Sequence, residues 1–218
     1  MALFLDSAVI SEAEKASSLG FVSGATTNPT LLVKAGHTDF HRALEIICSQ
    51  FNGPVFYQLT KHELDDMHNE YLEFRDIAQN LGFKIPCTLT GLQSAAKISG
   101  NSTVAMTSIF NPSQAYLAAQ AGARYIIPYV NRATRFTGDG IALIERLGAI
   151  LSGSQCEILA ASIKTATEAA EVLLAGSHHI SVPFDVIAEM AENSLSQMAI
   201  AEFDQKLSQM EALTDNRK

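Results

Sequence analysis

Lys84 stands in the setting least usual for its residue type. Of the eight lysines, only Lys84 and Lys164 lie within or directly against an apolar run, and Lys84 sits between Phe83 and Ile85 with Pro86 next. An ammonium there loses hydration, which favours the neutral amine, and a neutral lysine amine attacks carbonyls to form a Schiff base. The plainer alternative is a lysine whose head snorkels out of the strand end or pairs with a carboxylate. Other polar groups at the ends of apolar runs weigh against that. Asp6 follows ALFL; it can act as general acid or base on a substrate hydroxyl, or cap the helix SEAEKA. Gln58 in PVFYQL and Tyr129 in YIIPYV can hold a water for proton transfers at the amine-bearing carbon, or be ordinary hydrogen-bonded core polars. Thr26, Thr27 and Asn28 end a second run, and Thr107 stands in TVAMTS. Arg132, Ser162 and Lys164 form the natural anion site, the alternative being exposed basic groups with surface partners. Arg135 reads as solvent-facing.

These residues need a scaffold that brings their run ends together. The strand-like runs are ALFL (2–5), VSGATT (22–27), PVFYQL (54–59), GFKIPC (82–87), TVAMTS (103–108), YIIPYV (125–130), EILAAS (157–162) and HISVP (179–183). Most are apolar on both faces, as parallel strands covered on both sides are. Between them, 38–51, 62–81 and 111–122 carry apolar residues at three- and four-residue spacing, which predicts helices. Asn111-Pro112 and the stretch Ser162 to Thr165 read as helix N-caps, and Gly82, Gly122 and Gly176 as C′ glycines. Eight strands alternating with helices predict an α/β fold, a (β/α)8 TIM barrel spanning 1–218 as one domain. Its catalytic rim is the C-terminal end of the strands, where each of the first seven runs delivers a polar group. An open doubly wound sheet is the alternative, but the chain has no G-x-G-x-x-G turn. The tail holds a further amphipathic helix over 193–213, either a lid on the barrel or an oligomer contact.

Composition narrows the function. With 47% hydrophobic and 17% charged residues the chain can bury a large core, yet no apolar run approaches the roughly 18 residues of a membrane span. The start, MALFLDSAV, has no basic region and carries Asp6, so no signal peptide is expected and the location predicted is cytoplasmic. A net charge of −8 without any Lys/Arg cluster argues against nucleic acid and anionic membrane as partners. An anionic small molecule remains a fit, because a few placed cations act locally. Cys48, Cys87 and Cys156 are odd in number and far apart, which reads as buried, reduced thiols, Cys87 being the nearest to Lys84. His37 and His41 share a helical stretch with Asp39 but lack a third convergent ligand, so no metal is expected.

In order and spacing, FLDSA (4–8), GATTNPTLL (24–32), FKIPCTLTGLQSA (83–95), TSIFNPSQAYLAAQAGARYIIPYVNR (107–132) and LAASIKT (159–165) resemble the motifs of the transaldolase family. The length resembles its short-chain branch, which includes transaldolases and fructose-6-phosphate aldolases. The resemblance implies a cofactor-free enzyme with Lys84 as the Schiff-base lysine and Asp6 as acid/base for the C4 hydroxyl of a sugar phosphate. It implies that Asn28 holds sugar hydroxyls, that Thr26 and Thr107 line the site, and that Arg132, Ser162 and Lys164 bind the phosphate. It further implies a pentameric or decameric homo-oligomer. Transaldolases proper usually carry glutamate at the position of Gln58, phenylalanine at that of Tyr129, asparagine at Ala105 and serine at Ile127. The chain therefore looks closer to the fructose-6-phosphate aldolases, although Ile127 is bulkier than in either branch and Thr90 stands where glutamate is common. The implied reaction is cleavage or formation of the C3–C4 bond of a ketose phosphate such as fructose 6-phosphate. Transfer of the dihydroxyacetone unit to an aldose phosphate, as in the pentose phosphate pathway, or the same chemistry on a sulfonated ketose, are the alternatives. A sugar-phosphate binder without catalysis and a metal-dependent barrel aldolase are rivals from other classes.

Overall fold

In the computed structural model, which describes residues 1–215, eight parallel strands close on themselves in sequence order. The first half runs β1 (Ala2–Asp6), α1 (Ile10–Ser18), β2 (Val22–Thr26), α2 (Pro29–Lys34), α3 (Phe40–Gln50), β3 (Val55–Gln58), α4 (Leu64–Phe74) and β4 (Leu81–Pro86). Then come α5 (Leu89–Ile98), β5 (Val104–Ile109), α6 (Pro112–Gln120), β6 (Tyr125–Pro128), α7 (Val130–Thr137) and α8 (Gly140–Ile150). The chain finishes with β7 (Glu157–Ala160), α9 (Ala166–Leu174), β8 (His179–Val182), α10 (Phe184–Ala191) and α11 (Ser194–Asp215). This is the (β/α)8 barrel with an added C-terminal helix; residues 216–218 of the domain expected over 1–218 lie outside the described residues. β1 and β8 close the ring, pairing Ala2 with His179 through Leu5 with Val182.

Side chains alternate across each strand, so one set packs outward on the helices and the other fills the barrel. Leu5, Val55, Ile85, Met106 and Ile158 belong to the outer core between sheet and helices. Phe4, Phe56, Ala105, Ile127 and Leu159 form a separate inner cluster. Two residues further along these same strands stand Asp6, Gln58, Thr107 and Tyr129, on the inner face one layer higher. Lys84 takes the same place two residues after Gly82. The N-terminal end of the barrel is closed by a polar plug. His179 Nδ1 accepts the Ala2 N–H at 3.0 Å, His179 Nε2 lies 2.9 Å from Glu157 Oε2, and Arg124 bridges the same oxygen at 3.0 Å.

Three sequence expectations need correction. The helix read over 62–81 stops at Phe74, and the chain turns before β4. The Asn80 amide donates to the carbonyls of Cys48 (3.1 Å), Phe51 (2.8 Å) and Gly53 (3.0 Å), which pins the turn whatever the helical spacing of its neighbours. Gly82 is accordingly no C′ residue but lies inside β4, where a Cβ would come within 2.7 Å of the Phe56 ring. Gly122 (φ +81°) and Gly176 (φ +98°) do end their helices in the left-handed conformation. Of the N-cap stretch, Thr165 caps α9, accepting the Glu168 N–H at 3.1 Å, and Ser162 does not cap; Asn111 caps α6.

Burial pushes the Cys48 and Cys156 thiols up to about 12 and that of Cys87 to about 11. Cys87 packs against the outer core, on the face of the strand away from Lys84. His37 Nε2 meets the Ala8 carbonyl at 2.7 Å while His41 stacks on Phe74, so the two histidines serve different contacts. No helix among the described residues is long and apolar enough to cross a membrane. α11 leaves Leu195, Met198, Phe203 and Leu207 exposed, so this apolar face does not cover the barrel and the lid reading falls.

Candidate active site

A cavity of about 500 Å³ opens at the C-terminal mouth of the barrel. Asp6, Asn28, Gln58, Lys84, Tyr129, Arg132, Ser162 and Lys164 all line it, from six places along the chain that no local pattern connects. Another hollow of about 570 Å³ lies at the opposite end, between the ends of α1 and α3, but Ser17, Phe21, Ser23, Gln50 and Asn52 bring it no ionisable group. Chemistry therefore belongs to the cavity over the inner cluster.

Lys84 is 2% exposed, and its amine makes no hydrogen bond or ion pair among the described residues. Beneath it the cavity floor is apolar, because the inner layer consists of Phe4, Phe56, Ala105 and Ile127. β3 pairs with β4 so that Gln58 stands beside Lys84. Asp6 does not cap a helix: the N-cap of α1 is Val9. Instead Asp6 Oδ1 accepts the Thr26 hydroxyl at 2.8 Å, and Thr26 in turn lies 2.6 Å from Ser181 Oγ. Since the Thr26 proton is spent on Asp6, Ser181 must donate to Thr26, and the chain of hydroxyls orients the carboxylate from behind. Thr107 acts likewise, donating to Tyr129 Oη at 2.8 Å and leaving the phenol proton free for the cavity. Thr26 and Thr107 were expected to line the site; both are fully buried behind its wall and hold residues that do line it.

Asn28 caps α2, its Oδ1 accepting the Leu31 N–H at 3.0 Å with Pro29 at the first helical position. The Asn28 NH2 keeps no partner among the described residues and remains available to a ligand. Arg132, in the first turn of α7, lies with its guanidinium 4.8 Å from the Tyr129 ring centroid, a cation–π contact that sets its direction. Ser162 has φ +61°, a conformation rare for a residue with a side chain, of a kind that costs on the order of 1–3 kcal/mol and clusters at functional sites. Lys164 follows it at the mouth, its backbone N–H held by Glu168 Oε2 at 2.7 Å.

Ser108 and Lys34 are among the lining residues that escaped the sequence reading. Ser108 has φ +60° where the register between β5 and β6 shifts, and bulges of this kind re-aim side chains near active sites. Lys34 ends α2 and reaches the same mouth. Besides Lys84, the basic groups Lys34, Arg132 and Lys164 thus face a single carboxylate, Asp6, in a chain whose net charge is −8. Such a local excess of cations attracts an anionic ligand.

The family described as Transaldolase/Fructose-6-phosphate aldolase matches residues 3–217. The chain belongs to the Transaldolase/Fructose-6-phosphate aldolase family. A probable transaldolase of Symbiobacterium thermophilum is 36% identical over 206 residues, covering 93% of this chain and 95% of that protein. Probable transaldolases of Clostridium botulinum (strain Langeland) and Bacillus cereus (strain ZK) are each 35% identical over 206 residues, covering 93% of this chain and 94% and 95% of theirs. Family membership makes the protein an enzyme. Among solved structures, mandelate oxidase with benzoyl-formic acid superposes with a TM-score of 0.61 at 16% identity, over 84% of this chain and 64% of that one. At that identity the likeness concerns the barrel alone.

Proposed function

We propose that this family member is a Schiff-base aldolase that cleaves or forms the C3–C4 bond of a ketose phosphate such as fructose 6-phosphate. The observation that carries the reading is Lys84, a buried amine without a partner among the described residues, opening into one cavity with Asp6 and Arg132. Its amine attacks the C2 carbonyl, and loss of water gives a protonated imine, with Gln58 and Tyr129 handling the water and its protons. Asp6 then takes the C4 hydroxyl proton as the C3–C4 bond breaks, and the bond electrons move into the imine. An aldehyde leaves and the enamine of dihydroxyacetone stays on Lys84. Protonation at C3 and hydrolysis release dihydroxyacetone. Arg132, Ser162 and Lys164 hold the phosphate, and Asn28 donates to sugar hydroxyls.

The second reading is a transaldolase, in which the enamine waits for an aldose phosphate instead of water. It is supported by the names of the relatives, while Gln58 and Tyr129 support the aldolase. A hundredfold preference for one fate corresponds to only about 2.7 kcal/mol between two barriers. A homo-oligomer built on the exposed apolar face of α11, and a cytoplasmic location for an enzyme with three free thiols, complete the proposal.

Borohydride reduction in the presence of fructose 6-phosphate, followed by mass spectrometry, tests it. The expected result is a sugar-derived mass increment on Lys84, and loss of both increment and turnover in Lys84→Met. An unmodified Lys84 in the native protein would overturn the reading. Turnover with and without an acceptor aldehyde then separates the two fates of the enamine.

A further inference from the structure

Gln58 is aimed by its backbone alone, since its carboxamide has no hydrogen-bond partner among the described residues. Besides the pairing of Gln58 with Lys84 between β3 and β4, that backbone is held by a carboxylate on the neighbouring helix. Glu70 of α4 is 5% exposed and has no ion pair among the described residues. It accepts from Tyr57 Oη at 2.9 Å, from the Thr60 N–H at 3.0 and 2.9 Å through its two oxygens, from Thr60 Oγ1 at 2.7 Å and from the Lys61 N–H at 3.1 Å. Tyr57 immediately precedes Gln58; Thr60 and Lys61 follow it. One buried charge therefore grips the chain on both sides of Gln58.

An ionised carboxylate accepts from all of these groups at once, whereas a neutral amide in either orientation would set its NH2 against the Thr60 N–H, which reaches both oxygens, and would have to turn hydroxyls from donors into acceptors. Burial, and next to it the Glu70 charge, push the Tyr57 phenol well above its usual range, so it stays a donor.

We propose that Glu70 is a positioning residue that acts through Gln58, holding its carboxamide against the carbon attached to Lys84 while water leaves and returns. This rests on the proposed role of Gln58 in imine formation and hydrolysis.

A double-mutant cycle on kcat in the full chain tests it, with Glu70→Gln, Gln58→Ala and the pair. Each single change is expected to lower kcat about tenfold or more while KM stays within about threefold, and Lys84 remains trappable by borohydride. In the Gln58→Ala background, Glu70→Gln should cost less than about twofold further, because the residue through which it acts is gone. An anchor of stability alone would lower the melting temperature and reduce kcat by the same factor in both backgrounds; such additive losses, or an unchanged kcat in Glu70→Gln, overturn the inference. Should Glu70→Gln not fold, Tyr57→Phe, which removes one donor from one side of the grip, takes its place in the cycle with the same two outcomes. Failure of trapping in the native protein would instead bring down the Schiff-base reading itself.

Discussion

Asp6 carries the sharpest test at the scale of single residues. Its carboxylate is oriented by the Thr26 hydroxyl, behind which stands Ser181, and it shares a cavity with Lys84. In the proposed reaction it moves a proton but makes no covalent bond. Asp6→Asn should then lower kcat by roughly 10²- to 10⁴-fold, the usual span for a lost acid/base group. The imine should still form, so borohydride should still mark Lys84. A variant that neither turns over nor is marked would assign Asp6 to imine formation rather than to bond cleavage. Residue types at this scale were mostly readable beforehand. A lysine, an aspartate and a glutamine at the ends of apolar runs are conspicuous because each is costly there without a use. Ser108 was not readable, because a serine is ordinary in a loop and its positive φ arises only from the register shift between β5 and β6.

At the scale of elements, the barrel interior sets what each strand can carry. Gly82 leaves the space that the Phe56 ring fills, and an added Cβ would lie 2.7 Å from that ring. Gly82→Ala should destabilise the protein by about 1–3 kcal/mol, the common range for overpacking, measured by urea unfolding. An unchanged midpoint would show that Phe56 can give way and that the inner layer beneath Lys84 is looser than it looks. The spacing of apolar residues located the eight strands but overran the end of α4. Helical periodicity reports which face is buried, not where a turn is anchored. The Asn80 amide bonds that end this one reach carbonyls some thirty positions back in the chain.

At the scale of the whole molecule, the plug at the N-terminal end of the barrel couples stability to pH. Burial pushes the His179 imidazole below its ordinary 6.5, against the opposing pull of Glu157. Its Nδ1 accepts the Ala2 N–H, so a second proton would also break that bond. The unfolded chain thus takes up this proton at a higher pH than the folded one. The stabilisation is complete above about 6.5 and is lost as pH falls through the lower folded value. Burial raises the Glu157 carboxyl, but the His179 hydrogen bond and the Arg124 charge outweigh it and leave it below 4.5, so its share is lost only in more acid solution. Melting temperatures between pH 7.5 and 5.5 should fall more steeply for the native protein than for His179→Gln; parallel curves would remove His179 from the account. The exposed face of α11 makes the other prediction. A chain ending at residue 193 should show fewer subunits per particle by light scattering if that face joins subunits, and an unchanged subunit number would place the contact elsewhere.

Eight apolar runs alternating with helical spacing were enough to specify an eight-stranded barrel and most of the polar groups at its mouth. Those features are local: each strand declares its own buried positions, and closure merely collects them. Closure itself settled the rest. Whether Thr26 and Thr107 line the cavity or stand behind the residues that do, how the Glu70 carboxylate grips the chain around Gln58, and why Lys34 faces Arg132 and Lys164 across one opening all depend on contacts between segments far apart in the chain. A linear pattern carries no information about which distant donor meets which acceptor, because that pairing exists only once the strands have found their register.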